Sequence, residues 1–158
     1  MPDVSLAMID QTLSSLGIIL PTPPPPAGSY VPVVISGRFA FVSGQIPLEG
    51  EELRFKGKVG KNVTVEEGQQ AARLCVINAL TQLKASLGSL DRIARIVKVT
   101  GFVNCDPSFT EQSSVINGAS DLLVKIFGER GKHARAAVGM SSLPLGSAVE
   151  VEFIVELS

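Results

Sequence analysis

From Val149 to Leu157 the chain is written for a strand with one buried side. Val149, Val151, Phe153, Val155 and Leu157 fall on one face, and Glu150, Glu152 and Glu156 on the other. Such a segment must cover its apolar side with another layer, so the chain is committed to a sheet with at least one covered face. A strand is predicted over 147–157 and another over 134–141, with Leu143-Pro144 between them. Arg135 sits in the earlier run and Glu150 in the later one. A hairpin of the two would bring a fixed cation and a carboxylate to one end of a cleft. That pair suits the binding of a small carboxylic acid and the movement of a proton beside it.

The remaining elements follow from periodicity and punctuation. Leu6, Ile9, Leu13 and Leu16 mark one face of a short helix over 5–16, stopped by Gly17. Leu20-Pro-Thr-Pro-Pro-Pro-Pro26 holds five of the ten prolines, which excludes helix and central strand and predicts a stiff polyproline spacer. Residues 1–26 are thus read as an extension of helix and strap, and 27–158 as the domain proper. Strands are predicted at 33–36 and 38–43, split by Gly37, with a shorter one at 53–56. Thr64-Val-Glu-Glu67 is a capping box opening a helix whose Ala72, Val76, Ala79, Leu80, Leu83 and Leu87 share a face up to Gly88. A β-branched strand over 93–104 and a helix from about 112 to Phe127, ended by Gly128, complete the order. The economical packing is an α+β fold, a mixed sheet with both long helices on one face. Apolar Val33, Ile35, Phe39 and Phe41 then call for a homo-oligomer to cover the other.

Composition excludes several functions. With net charge -1, seven Phe, one Tyr and no Trp, the chain has neither the basic excess nor the stacking rings of a nucleic-acid binder. Cys75 and Cys105 fit no metal spacing and are expected to be reduced and structural. A lone His133 rules out a multi-histidine metal site. Asp3 and Asp10 interrupt the first twenty residues, which lack a basic start. No signal peptide or membrane span is predicted, and the cytoplasm is the expected compartment.

Gly57-Lys-Val-Gly-Lys61 lacks the spacing of a phosphate loop and is read as turn glycines with solvated lysines. No G-x-S-x-G elbow is present. An Arg in an apolar strand, as Arg135 is, needs an ion-pair partner or a cleft. Its planar fork suits a carboxylate in a way Lys does not. Glu150 and Glu152 are either a solvated sheet face or a source of one carboxylate to steer a water.

Taken in order, Gly28-Ser-Tyr30, Ser43-Gly-Gln-Ile-Pro47, Gly101-Phe-Val103, Ala134-Arg135, Leu143-Pro144 and Val149-Glu-Val-Glu152 resemble the Rid (YjgF-like) proteins, also called the endoribonuclease L-PSP family. The likeness covers roughly 27–157 and is closest to a longer, divergent subgroup. It implies a chorismate-mutase-like fold and a homotrimer with clefts between subunits. It implies hydrolysis of 2-imino or enamino acids, such as 2-aminoacrylate, to 2-keto acids and ammonia, without a cofactor. This is the activity of 2-iminobutanoate/2-iminopropanoate deaminases. Arg135 would hold the substrate carboxylate and Glu150 the attacking water. Tyr30, Ser43 and the Gly44 amide would line the cleft. Ala137 stands where active members usually carry Cys, and would contribute its backbone carbonyl. Lys132-His133 replaces the usual aromatic-Pro pair. The alternatives are a carboxylate-binding protein without turnover and, as the older family name has it, an endoribonuclease or translation inhibitor.

Overall fold

The computed structural model describes residues 8–25 and 28–158. Leu6, Pro26 and Ala27 of the predicted extension and domain start lie outside the described residues. Among the described residues, three α-helices, α1 (Met8–Ser15), α2 (Val65–Leu87) and α3 (Gln112–Phe127), accompany seven strands. Five strands form the main sheet: β1 (Val33–Ser36), β2 (Phe39–Gln45), β5 (Ile93–Asn104), β6 (Ala134–Met140) and β7 (Val149–Leu157). Their spatial order is β1-β2-β7-β5-β6. Only β5 and β6 pair in parallel; the other pairings are antiparallel. The fold is the mixed-sheet α+β architecture expected, with α2 and α3 packed on one face.

Local chemistry accounts for the helices. Thr64 Oγ1 accepts from the Glu67 amide at 3.0 Å, and Glu67 Oε2 accepts from the Thr64 amide at 3.2 Å. This satisfies two of the four orphan donors at the start of α2. Its predicted apolar face is buried in full, and buried Cys75 joins it. Gly128 closes α3 with φ +62°, where a side chain would be strained. Gly118 lets α3 lie directly on α2, because a methyl there would collide with the Gln69 carbonyl.

The hairpin expected from 134–157 does not form, because β5 lies between β6 and β7. The reason is connectivity. β5 reaches β6 through α3, and a crossover of that length delivers a parallel neighbour. β7 then fills the gap between the two long antiparallel partners, with Phe41 opposite Ile154 on one side and Val99 opposite Phe153 on the other. The short strand expected at 53–56 is displaced to a two-by-two ribbon, β3 (Leu48–Glu49) and β4 (Glu52–Leu53). Residues from Phe55 onward instead bond to the turn before β7: Phe55 O accepts from Ala148 N, and Gly57 N donates to Gly146 O. Lys58 is not solvated as expected. Its Nζ donates to Ser141 O at 2.6 Å and to Asn104 Oδ1 at 3.0 Å, tying three loops together.

Ile9, Leu13 and Ile18 join the same core as the helices of the sheet, whereas Leu16 is exposed. The Asp91 carboxylate accepts from the Ile9 amide at 3.1 Å, capping α1 from across the fold. The proline run then crosses α2 near Thr81, Lys84 and Gly88. On the far side of the sheet Phe39, Phe41, Val138 and Met140 stay exposed, so an apolar face is left uncovered in the single chain. Among the described residues, no helix is long and apolar enough to cross a membrane.

Candidate functional site

Glu150 leaves the open face of β7 opposite the β-bulge between Val42 and Gln45 of β2. Gly44 makes room for it. A Cβ on Gly44 would press on the Glu150 carboxylate and lie 3.0 Å from its Cδ. The carboxyl is half-buried and has no hydrogen-bond or ion-pair partner among the described residues. Burial pushes its pKa up from the ordinary 4.5, and the neighbouring Glu152 charge adds to the rise. It borders a cleft of about 320 Å³ lined by Tyr30, Pro32, Gly44, Gln45, Gln82 and Pro144, among others. The proline strap closes one side through Pro24 and Pro25.

Arg135 stands on the edge strand β6 and turns toward α3. Its Nη1 donates to Asn117 Oδ1 at 2.8 Å and to Ser120 Oγ at 3.2 Å. No carboxylate of the described residues pairs with it. The rest of its fork is available to an anion. Ser120 is itself held: its Oγ lies 2.8 Å from His133 Nε2, and His133 Nδ1 lies 2.6 Å from Gly131 O. A carbonyl can only accept, so Nδ1 carries the proton and Nε2 accepts from the serine hydroxyl. Burial lowers the His133 pKa below its ordinary 6.5, with the Arg135 charge contributing. That favours the neutral ring this arrangement needs.

The structure therefore gathers Tyr30, Gly44 and Glu150 at one cleft and places Arg135 elsewhere. Arg135 faces the helices, Glu150 faces away from them, and β5 separates their strands. Within one chain they do not share a cavity. Ser43 does not line the cleft. Its hydroxyl donates to Val31 O at 2.8 Å and its amide to Pro32 O at 2.8 Å, which fixes the loop that carries Tyr30. Ala137 is half-buried against the core on the Arg135 side. Residues not anticipated from sequence are Gln82, Pro24, Pro25 and Pro144 at the Glu150 cleft, and Asn117, Ser120 and His133 around Arg135. The one local signal was the three-residue spacing of Asn117 and Ser120, which puts both on one face of α3. Cys75, fully buried, has its pKa raised well above 9.0 by burial, so the thiol is a packing group.

Comparison with known proteins agrees with this architecture. The family described as YjgF/chorismate_mutase-like, putative endoribonuclease matches residues 10–157. Protein TCP17 of Trypanosoma cruzi is 49% identical over 156 residues, covering 98% of this chain and 98% of that protein. The crystal structure of Atu1372 from Agrobacterium tumefaciens, a protein of unknown function, superposes with a TM-score of 0.90 at 46% identity, covering 98% of this chain and 96% of that one. The crystal structure of E. coli TdcF with bound serine superposes with a TM-score of 0.61 at 26% identity, covering 86% and 94%. On the family match and these likenesses, the chain belongs to the YjgF-like, or Rid, family.

Proposed function

We propose that this protein hydrolyses reactive 2-imino and enamino acids to 2-keto acids and ammonia. The site would be a cleft completed between neighbouring subunits of a homotrimer. Glu150 carries the reading: a half-buried carboxyl with a raised pKa and no partner among the described residues, beside a glycine, at the wall of an open cleft. Structural carboxylates are ordinarily paired, and an unpaired one with a shifted pKa marks a functional candidate. Two further observations support it. Arg135 is pre-oriented on an edge strand with donors to spare. The open sheet face is apolar and uncovered, so a second copy has a surface to cover, and the composite cleft requires the β6 edge of one copy to meet the Glu150 cleft of the next.

In this mechanism the Arg135 fork binds the substrate carboxylate and fixes the imine carbon. Glu150 takes a proton from water as its oxygen bonds to that carbon. The carbinolamine formed then collapses: Glu150 returns its proton to the nitrogen, the C–N bond breaks as the hydroxyl gives its proton to the Glu150 carboxylate and becomes the carbonyl, and ammonia leaves the keto acid. A carboxyl whose pKa is raised toward the working pH is a better proton carrier than an ordinary one. The imine is already electrophilic, so the residues present supply the chemistry required. Ala137 keeps a backbone carbonyl at its position. Binding of a small carboxylate without turnover is the second reading. It is favoured by the Ala at 137 and by the serine bound to TdcF.

The test generates imino acids with an amino-acid oxidase and traps them with semicarbazide. The protein should lower the semicarbazone yield, and Arg135→Ala and Glu150→Gln should each restore it. Co-refolded mixtures of the two variants should regain activity, because about one site in four then joins an intact Arg135 to an intact Glu150. No activity in the mixture, with both variants trimeric, would refute the composite cleft. Loss of turnover in Glu150→Gln with keto-acid binding retained fits the mechanism. No turnover in the native protein leaves the binding reading.

A further inference from the structure

Arg135 is held without being neutralised. Its Nη1 donates to two oxygens, Asn117 Oδ1 and Ser120 Oγ, and both belong to uncharged side chains of α3. A carboxylate would grip the guanidinium more tightly, but it would compete with an incoming anion for the same charge. Neutral acceptors orient the fork and leave its charge to the ligand. Two charged neighbours in the chain, Lys132 and Glu129, pair with one another at 2.9 Å rather than with Arg135.

Of the two acceptors, Asn117 Oδ1 carries no proton and needs no further partner to stay an acceptor. Ser120 differs, because a hydroxyl must also donate. A serine or threonine inside a helix can turn its proton to the carbonyl four residues back. Thr81 of α2 does so, donating to Ile77 O at 2.9 Å. The equivalent acceptor for Ser120 is the Ile116 carbonyl, yet the Ser120 hydroxyl is drawn instead to His133 Nε2 at 2.8 Å. That choice keeps Oγ where it can accept from Arg135. His133 is fixed in turn, with Nδ1 2.6 Å from Gly131 O. Gly131 ends a short 3-10 turn, Gly128–Gly131, laid directly on α3. A methyl there would run into the Leu123 carbonyl, 2.8 Å from its carbon. The last acceptor is therefore backbone packed on backbone. Every link runs the same way, from the Arg135 N–H through the Ser120 hydroxyl and the His133 ring to a carbonyl, an order in which each bond polarises the next.

We infer that His133, acting through Ser120, is a positioning residue that presents the Arg135 fork to the substrate carboxylate. This rests on the deaminase reading for the identity of the anion, and on the hydrogen-bond chain for the role. The acceptor at Nε2 is what matters, not the ring. Without it the Ser120 hydroxyl turns back to the Ile116 carbonyl, and Arg135 loses one of its two oxygens.

The experiment measures binding of 2-oxobutanoate by calorimetry, and KM and kcat for the corresponding imine. It compares the native protein with Arg135→Ala, His133→Leu, His133→Gln, Ser120→Ala and the combination of His133→Leu with Ser120→Ala. His133→Leu should weaken binding about 3–10-fold, the worth of one ordinary hydrogen bond. KM should rise by the same factor with kcat little changed, as for a contact made equally in ground and transition states. Glutamine places an acceptor oxygen where Nε2 stood, so His133→Gln should recover most of that loss, which a general loosening of the fold would not do. Ser120→Ala should weaken binding to a similar extent. The combined variant should be no weaker than Ser120→Ala, because both changes act along one path. If Arg135→Ala weakens binding while His133→Leu does not, or if leucine and glutamine at 133 cost the same and the combined losses add, the positioning role is overturned and the deaminase reading stands. Binding that follows the expected series without turnover of any imine overturns the deaminase reading and keeps the positioning role. Binding and turnover that both ignore Arg135→Ala, or the absence of both in the native protein, overturn the two together.

Discussion

Gly118 offers the sharpest test of how the two long helices are held. A methyl at this position would sit on the Gln69 carbonyl oxygen and 2.7 Å from the Gln69 Cα. Both atoms are backbone of α2, so no rotamer change relieves the contact, and the helices must part. Overpacking of this kind costs ~1–3 kcal/mol. Replacing a mid-helix glycine by alanine returns ~0.8–1.0 kcal/mol of propensity. With an immovable neighbour the upper part of the overpacking range applies, leaving Gly118→Ala destabilised by about 2 kcal/mol. For a chain of this size that lowers Tm by about 4–8 °C. Gly68→Ala is the comparison. Its methyl meets side-chain carbons of Val115 at 3.0 Å and Val59 at 3.3 Å, which can yield, so the change should stay within about 1 kcal/mol. Thermal and urea melts followed by circular dichroism measure both. A Gly118→Ala protein as stable as the native one would show that α2 and α3 are not in fixed backbone contact, and the argument would fail. Because Asn117 and Ser120 flank this glycine, the same variant should also loosen Arg135.

Three other outcomes are expected. Thr64→Ala removes the side-chain half of the α2 capping box and should cost ~1 kcal/mol in urea melts. Asp91→Ala removes the acceptor for the Ile9 amide and should speed hydrogen exchange in α1 well before the sheet exchanges. His133 binds fewer protons folded than unfolded, since its folded pKa is lowered. Stability should therefore fall as pH drops from about 6.5 toward that folded value. His133→Gln should flatten this part of the urea midpoint profile, and an unchanged slope would contradict the neutral-histidine assignment.

The local grammar of the chain was readable because its signals are local. The capping box, the helix-ending glycines and the two faces of β7 each depend on neighbours within a few residues. Partner choice is not of that kind. The 134–157 segment has every mark of a hairpin, and nothing nearby announces that β5 inserts itself; only the α3 crossover decides it. The site divides the same way. Glu150 and Arg135 stood out as charges in apolar strands, and the resemblance assigned them roles. That they face opposite sides of the sheet depends on register: Arg135 lies opposite Val99 and Glu150 opposite Phe102, an odd number of residues apart on β5. Gln82 was invisible for a different reason: a glutamine within a helix is ordinary, and only the strap folded across α2 buries it. Lys58 is the converse, a lysine among turn glycines that reads as solvated until three distant carbonyl and amide oxygens converge on it.

The position of β7 has a consequence for how the molecule is made. Among the described residues it follows the other strands of the main sheet in the chain, yet it is the central one of the five in space. While the ribosome is still reading α3 and β6, β2 and β5 have no partner between them, and the β1–β2 ribbon is separated from the β5–α3–β6 unit. Those bare edges can pair with the edges of other chains. A nascent chain would thus remain two half-sheets until β7 emerges and zips both sides at once, and a stop codon anywhere before Val149 would release halves rather than a smaller version of the fold.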